Sequence, residues 1–185
     1  TLAFTACDSG KEPVDMVNNR IGNISHLLVP TFPTAHRPNS MLRMNPDHNE
    51  FVTDRMGGLP MNVPSHRQGN VTLMMPFCGD KSVVKFNYPY RYDHETTSPY
   101  RYSVYFDDFG VLVDYAPAEH SAVMSYTFEQ EGDRFVQLRN LNGNGKIYAE
   151  GNKMWGYDVY HGHNHYFYLE FDQTPVAFNG KDGDG

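Results

Sequence analysis

The chain has 185 residues, a formal net charge of −7 and no run of Lys or Arg, which excludes the basic footprint that a nucleic-acid partner needs. That length fills one two-layer core and not two. Aromatic residues make up 14% of it, with 13 Tyr, 12 Phe and a single Trp, a composition suited to pleated strands and to stacking on sugar rings.

At the N-terminus, Thr1-Leu2-Ala3-Phe4-Thr5-Ala6-Cys7 places small residues directly before a cysteine, the pattern at the end of a bacterial lipoprotein signal. Residues 1–12 are therefore expected to be a signal remnant and lipid tether, with acylation at Cys7. The expected location is the periplasm or cell surface of a Gram-negative bacterium. Lipidation of Cys7 leaves Cys78 without a partner, so no internal disulfide is expected.

In the segment Thr31 to Asp47, Pro33 and Pro38 fix φ and remove backbone donors, so the stretch between them reads as a rigid loop. Met41 to Met44 would form a short strand ending at Pro46-Asp47, leaving His36, Arg37 and Asn39 to project from a supported loop. Ligand contact and a packed connection with solvated polar groups are equally compatible with that pattern. Further on, His66 and Arg67 follow Pro64-Ser65, where they could donate to sugar hydroxyls or simply face solvent.

From Val71 onward the apolar residues alternate with a period of two, and no window shows helical spacing. Strands are expected at Ser82 to Asn87, Tyr102 to Phe106, Val111 to Tyr115, Ala122 to Phe128, Arg134 to Leu138, Lys146 to Glu150, Trp155 to Tyr160 and Tyr166 to Phe171. Asp107-Asp108-Phe109-Gly110 turns the second of these into the third, with Tyr102, Val104 and Phe106 on one face. Many short strands with regular turns predict an all-β, antiparallel β-sandwich over residues 13–178.

Three further features bear on chemistry. His161, His163 and His165 alternate and would share one face of an extended strand, a metal-compatible spacing, although Gly162 and Asn164 favour an irregular polar connection. Trp155 could serve as a core anchor or as a sugar platform. The run 179–185 is polar and glycine-rich, the composition of a linker; Asp182 and Asp184 lack the remaining positions of a calcium loop.

Three segments, taken in order, resemble glycoside hydrolase family 92, which consists largely of calcium-dependent α-mannosidases. The first is Thr31-Phe32-Pro33 through Pro38 and Met41 to Pro46-Asp47. The second is Glu95 to Phe106, where Glu95, Pro99, Tyr102 and Val104 fall in register, while Tyr100 stands at a glycine position and Arg101 at a tyrosine position. The third is Gly151 to Asp172, with Trp155-Gly156 and Tyr166 to Phe171. With Val17-Asn18 and Ile21-Gly22, the likeness covers nearly the whole chain. At the segment that lines the family's sugar site, only Ser65-His66 and Gly69 correspond.

The resemblance implies the family's N-terminal domain, a galactose-mutarotase-like supersandwich, followed, after a linker whose start is 179–185, by a helical catalytic domain. It further implies inverting hydrolysis of terminal α-mannosides by the whole protein, with calcium held mainly by that second domain. On this reading His36, Arg37, His66, Arg67, Glu95 and Trp155 are the expected substrate contacts, and the partner is a mannose-containing glycan. No catalytic residue is expected here: Asp93, Glu95, Asp114 and Glu119 are the available carboxylates, and none is marked as one of a pair set roughly 6.5–9.5 Å apart, as inversion requires. The alternatives are a carbohydrate-binding lipoprotein module without catalysis, or a purely structural module.

Overall fold

A computed structural model describes residues 10–24, 27, 31–48, 52–64, 69–85 and 88–179. Cys7, His66, Arg67 and the 180–185 end of the expected linker lie outside the described residues. Among the described residues, apart from short 3-10 helices at Pro13–Met16 and Lys81–Val83, the regular structure is entirely β. The strands are β1 (Arg55–Met56), β2 (Leu59–Asn62), β3 (Val71–Cys78), β4 (Tyr90–Ser98), β5 (Arg101–Phe106), β6 (Val111–Pro117), β7 (Ala122–Phe128), β8 (Arg134–Arg139), β9 (Lys146–Glu150), β10 (Lys153–Tyr160) and β11 (His163–Glu170).

They form a five-stranded sheet ordered β1-β4-β5-β6-β7 and two three-stranded sheets, β2-β3-β8 and β11-β10-β9, all with antiparallel pairing. The expected sandwich is the observed architecture. Its core lies between the five-stranded sheet and β2-β3-β8: Tyr102, Val104, Phe106, Val111 and Val113 meet Met75 and Phe77, every one at most 2% exposed. Burying side chains of this size contributes roughly 1.5–3 kcal/mol each. Phe77, Tyr90 and Phe109 pack edge to face at 4.8–5.4 Å between centroids.

The β5–β6 hairpin forms where the sequence predicts it. Gly110 takes φ +62°, and the N–H groups of Phe109 and Gly110 both donate to the Phe106 carbonyl. β3 is buried along its whole length, as a strand covered on both faces must be. Its Pro76 lies past the last β2 pairing, Leu59 with Met74, where only β8 remains alongside.

Three local expectations are corrected. The strand expected over Ser82 to Asn87 begins instead as the Lys81–Val83 helix, because the Asp80 carboxylate accepts from Ser82 N–H at 2.8 Å and caps a turn. Met41 to Met44 is no strand: it contributes only the isolated bridge between Met44 and Ala35. The connection after Tyr160 is not irregular, because His161 (φ 50°) and Gly162 (φ 79°) make a two-residue hairpin turn with both φ values positive. That turn lets β10 and β11 pair without interruption from Tyr160 with His163 to Lys153 with Glu170.

Candidate functional site

The expected contacts are distributed over separate parts of the fold. His36 is half-buried, its Nε2 3.1 Å from the Ser40 carbonyl, and Arg37 is exposed beside it. Glu95 sits at a register shift in β4 and has both carboxylate oxygens engaged. Oε1 accepts from the buried Tyr102 hydroxyl at 2.8 Å, and Oε2 pairs with Arg20 at 3.2 Å. Trp155 lies on the outward face of β10, stacked on Tyr148. The other carboxylates are also occupied locally: Asp93 accepts from the N–H of His94, Asp114 pairs with Arg101, and Glu119 lies near His120.

A different cluster is assembled where β2-β3-β8 meets β9–β11. Asp47 follows the Met44 bridge and is half-buried. Its N–H donates to the Gly58 carbonyl at 3.0 Å, and Asn70 Nδ2 donates to its Oδ1 at 2.7 Å. Gly57 makes this approach possible, since a Cβ there would stand 2.6 Å from Asp47 Oδ2. Burial pushes the Asp47 carboxyl above the ordinary carboxylate range; the Asn70 hydrogen bond and the charges of Arg139 and His48 pull the other way without cancelling it. Arg139, at the end of β8, is held below its ordinary value by burial and restored in part by Asp47. A half-buried acid and a half-buried guanidinium within electrostatic reach are the kind of perturbed pair found in binding sites.

Gly69 and Asn70, just before β3, lie at this cluster. Gly69 lies flat on the Tyr160 ring, where a Cβ would meet Cζ at 2.2 Å, and Asn70 is the Asp47 partner. Below it, Asp158 of β10 is fully buried and accepts from four backbone N–H groups: Thr72 at 3.1 Å, Leu141 at 3.0 Å, Asn142 at 3.4 Å and Val159 at 2.9 Å. The Asn142 side-chain amide donates to it at 3.1 Å. Thr72 holds φ +44°, a left-handed conformation that a β-branched residue rarely takes, and its hydroxyl donates to Asn140 at 3.0 Å. Asn140 in turn donates to the Tyr157 carbonyl at 3.2 Å. This network fastens the third sheet to β3.

Reading the sequence did not single out Asp47, Arg139 or Asp158 as a group. The available signal was parity: Asp158 occupies an inward position on a strand whose outward positions are Trp155 and Tyr157. His163 and His165 lie on the same strand, His165 paired with Asp158, while His161 is in the turn. Among the described residues no group of three or more His, Cys, Asp or Glu side chains is placed to hold a metal ion, so these residues do not by themselves fit a calcium site. Cys78 is buried, its thiol 3.3 Å from the Gln130 carbonyl.

Comparisons with known proteins bear on this arrangement. The family model of the glycosyl hydrolase family 92 N-terminal domain matches residues 16–184. The fold is similar to the family GH92 α-mannosidase BT3965 from Bacteroides thetaiotaomicron, with a TM-score of 0.67 and 16% identity over 92% of this chain and 29% of that one. The same enzyme in complex with mannoimidazole matches with a TM-score of 0.64, 16% identity, 92% of this chain and 28% of that one. The chain therefore spans less than a third of the length of these structures, and at this identity the likeness shows the fold. No curated protein matches the chain. The match along nearly the whole sequence, on the sandwich that the strands build, places this chain in the glycosyl hydrolase family 92 N-terminal domain family.

Proposed function

We propose that this chain is the first domain of a longer, inverting α-mannosidase, and that it supplies one wall of the substrate pocket and the platform for a helical catalytic domain joined through 179–185. The observation that carries the reading is the family match over residues 16–184 on a chain that spans 29% of a family α-mannosidase. On this proposal Asp47 accepts from sugar hydroxyls and Arg139 donates to them; His66 and Arg67 are proposed as further contacts on the sequence alone. Such a site orients a sugar with a few placed polar groups. Glu95, with both oxygens occupied, holds Arg20 and Tyr102 in place. His36 and Arg37 are available to the rim.

Calcium belongs to this proposal at the level of the whole enzyme, with its ligands in the following domain. Tethering through Cys7 and a periplasmic or cell-surface location are proposed on the small residues that precede that cysteine. The test is turnover of an aryl α-mannoside with calcium present. The 185-residue chain is expected to show none, and the longer polypeptide to release β-configured mannose first; hydrolysis by the short chain alone would refute the assignment of catalysis to the second domain.

A further inference from the structure

We infer that the outward face of β9–β10–β11 is a second carbohydrate-binding surface, one that takes the pyranose rings of an uncharged glycan. The cross-strand register arranges this face in rows. Trp155 lies opposite Tyr148 on one side and Tyr168 on the other, and the next row is Lys146, Tyr157 and Tyr166. On the other flank lie Glu150, Lys153 and Glu170. The tyrosines are open to solvent: Tyr148 is 47% exposed, Tyr168 57% and Tyr166 76%. Tyr148 and Trp155 are close to parallel, at 21° with centroids 6.0 Å apart, and form a stacked aromatic pair on this face. With neighbouring strands about 4.8 Å apart, the three-ring row is about 10 Å long, enough for more than one sugar ring.

The chemistry of the face selects the occupant. Aliphatic side chains go to the opposite side of the sheet, as Ile147, Met154 and Leu169 do, and Val159 is the one aliphatic residue among the outward positions of β10. The centre of this face offers rings with hydroxyl edges in place of branched aliphatics. Its framing charges are Lys146 and Lys153 against Glu150 and Glu170, which sum to zero and match a neutral ligand rather than an acidic or basic one. A pyranose is complementary to this pattern: its C–H face lies on the rings while its hydroxyls meet carboxylates that accept and ammonium groups that donate. Glu170 is already aligned by Tyr168 at 3.2 Å. The surface lies on the opposite side of β10 from Asp158, and the inference does not rest on α-mannoside hydrolysis.

Trp155 is the only Trp in the chain, so its emission reports directly on the site. The 185-residue chain is titrated with soluble α-mannan and, in parallel, with soluble α-glucan. The expected result is a saturable blue shift with at least one of them, weakened about tenfold in Tyr148→Ala and in Tyr168→Ala. Both variants should keep the wild-type far-UV spectrum, and Tyr88→Ala, an exposed tyrosine off this face, should bind like wild type. No saturable change with either polysaccharide, or titrations that the Tyr148 and Tyr168 variants leave unaltered, would overturn the inference. So would Trp155 in the longer polypeptide being shielded from acrylamide before any glycan is added, since another part of the protein would then occupy the face. Binding without turnover in the longer polypeptide would leave this inference standing and remove the proposed hydrolase function, so the two fail separately.

Discussion

Replacing Asp158 is the sharpest test of how the third sheet is held. The carboxylate is fully buried and gathers four backbone N–H groups and one side-chain amide at 2.9–3.4 Å. In Asp158→Ala, the Thr72, Leu141 and Asn142 amides lose their acceptor. At about 1–3 kcal/mol for each buried unsatisfied group, with partial relief from entering water, the expected loss is about 4 kcal/mol. That is a large fraction of a domain's roughly 5–15 kcal/mol. Asp158→Asn keeps the shape but turns one acceptor into a donor facing donors, with an expected loss of about 2 kcal/mol. Urea unfolding is followed by Trp155 emission, which reports β10, and by far-UV circular dichroism, which reports all sheets. In wild type the two curves should coincide; in Asp158→Ala the Trp155 transition should come first, because β9–β11 loses its polar anchor while the main core remains. A loss below about 1 kcal/mol would show that the inward apolar residues Ile147, Met154, Phe167 and Leu169 suffice without the carboxylate.

Two other perturbations address the same junction. Thr72→Gly removes the strain of φ +44° along with the Asn140 hydrogen bond, whereas Thr72→Val keeps the strain and loses the bond, so chemical denaturation should find the valine variant less stable than the glycine one by about 1–2 kcal/mol; equal stabilities would show that the conformation carries no strain. The raised Asp47 carboxyl means that the folded state binds its proton more tightly than the unfolded state does. Its stabilising contribution is therefore complete below the ordinary value of 3.8 and is lost as pH rises through the higher folded value. Asp47→Asn should remove this dependence, so the variant gains on wild type in urea midpoints as pH rises above 3.8, and parallel pH profiles would contradict the assignment.

Much of the sandwich is legible along the chain because a half-buried antiparallel strand must alternate. Tyr102, Val104 and Phe106 share a face, and the Asp107–Gly110 turn can close only between two such strands; β7 and β9 likewise have their predicted limits. β4 was less legible as a strand: it interleaves charged and polar residues, and its alternation breaks at the register shift between Asp93 and Thr96, where His94 takes φ 52°. The alternation of His161, His163 and His165 suggested a shared ligand face, but the hairpin geometry uses the first of them as a turn residue. Asp47 closes the first family-like segment and Arg139 belongs to none, and nothing along the chain links the two; only the folding of β8 beside β3 brings them within reach of each other.

What the sequence determined by itself was therefore whatever depends on neighbours along the chain: strand periodicity, turn chemistry, the all-β class and the ordered segments that mark the family. What the tertiary structure alone decided was which polar groups end up buried together, because desolvation and hydrogen bonding depend on what packs overhead. Asp158 became the anchor of a sheet and Asp47 a raised carboxyl for that reason. Tyr148, Trp155 and Tyr168 likewise came to share one row through cross-strand register, a relation between strands that no single strand's sequence contains.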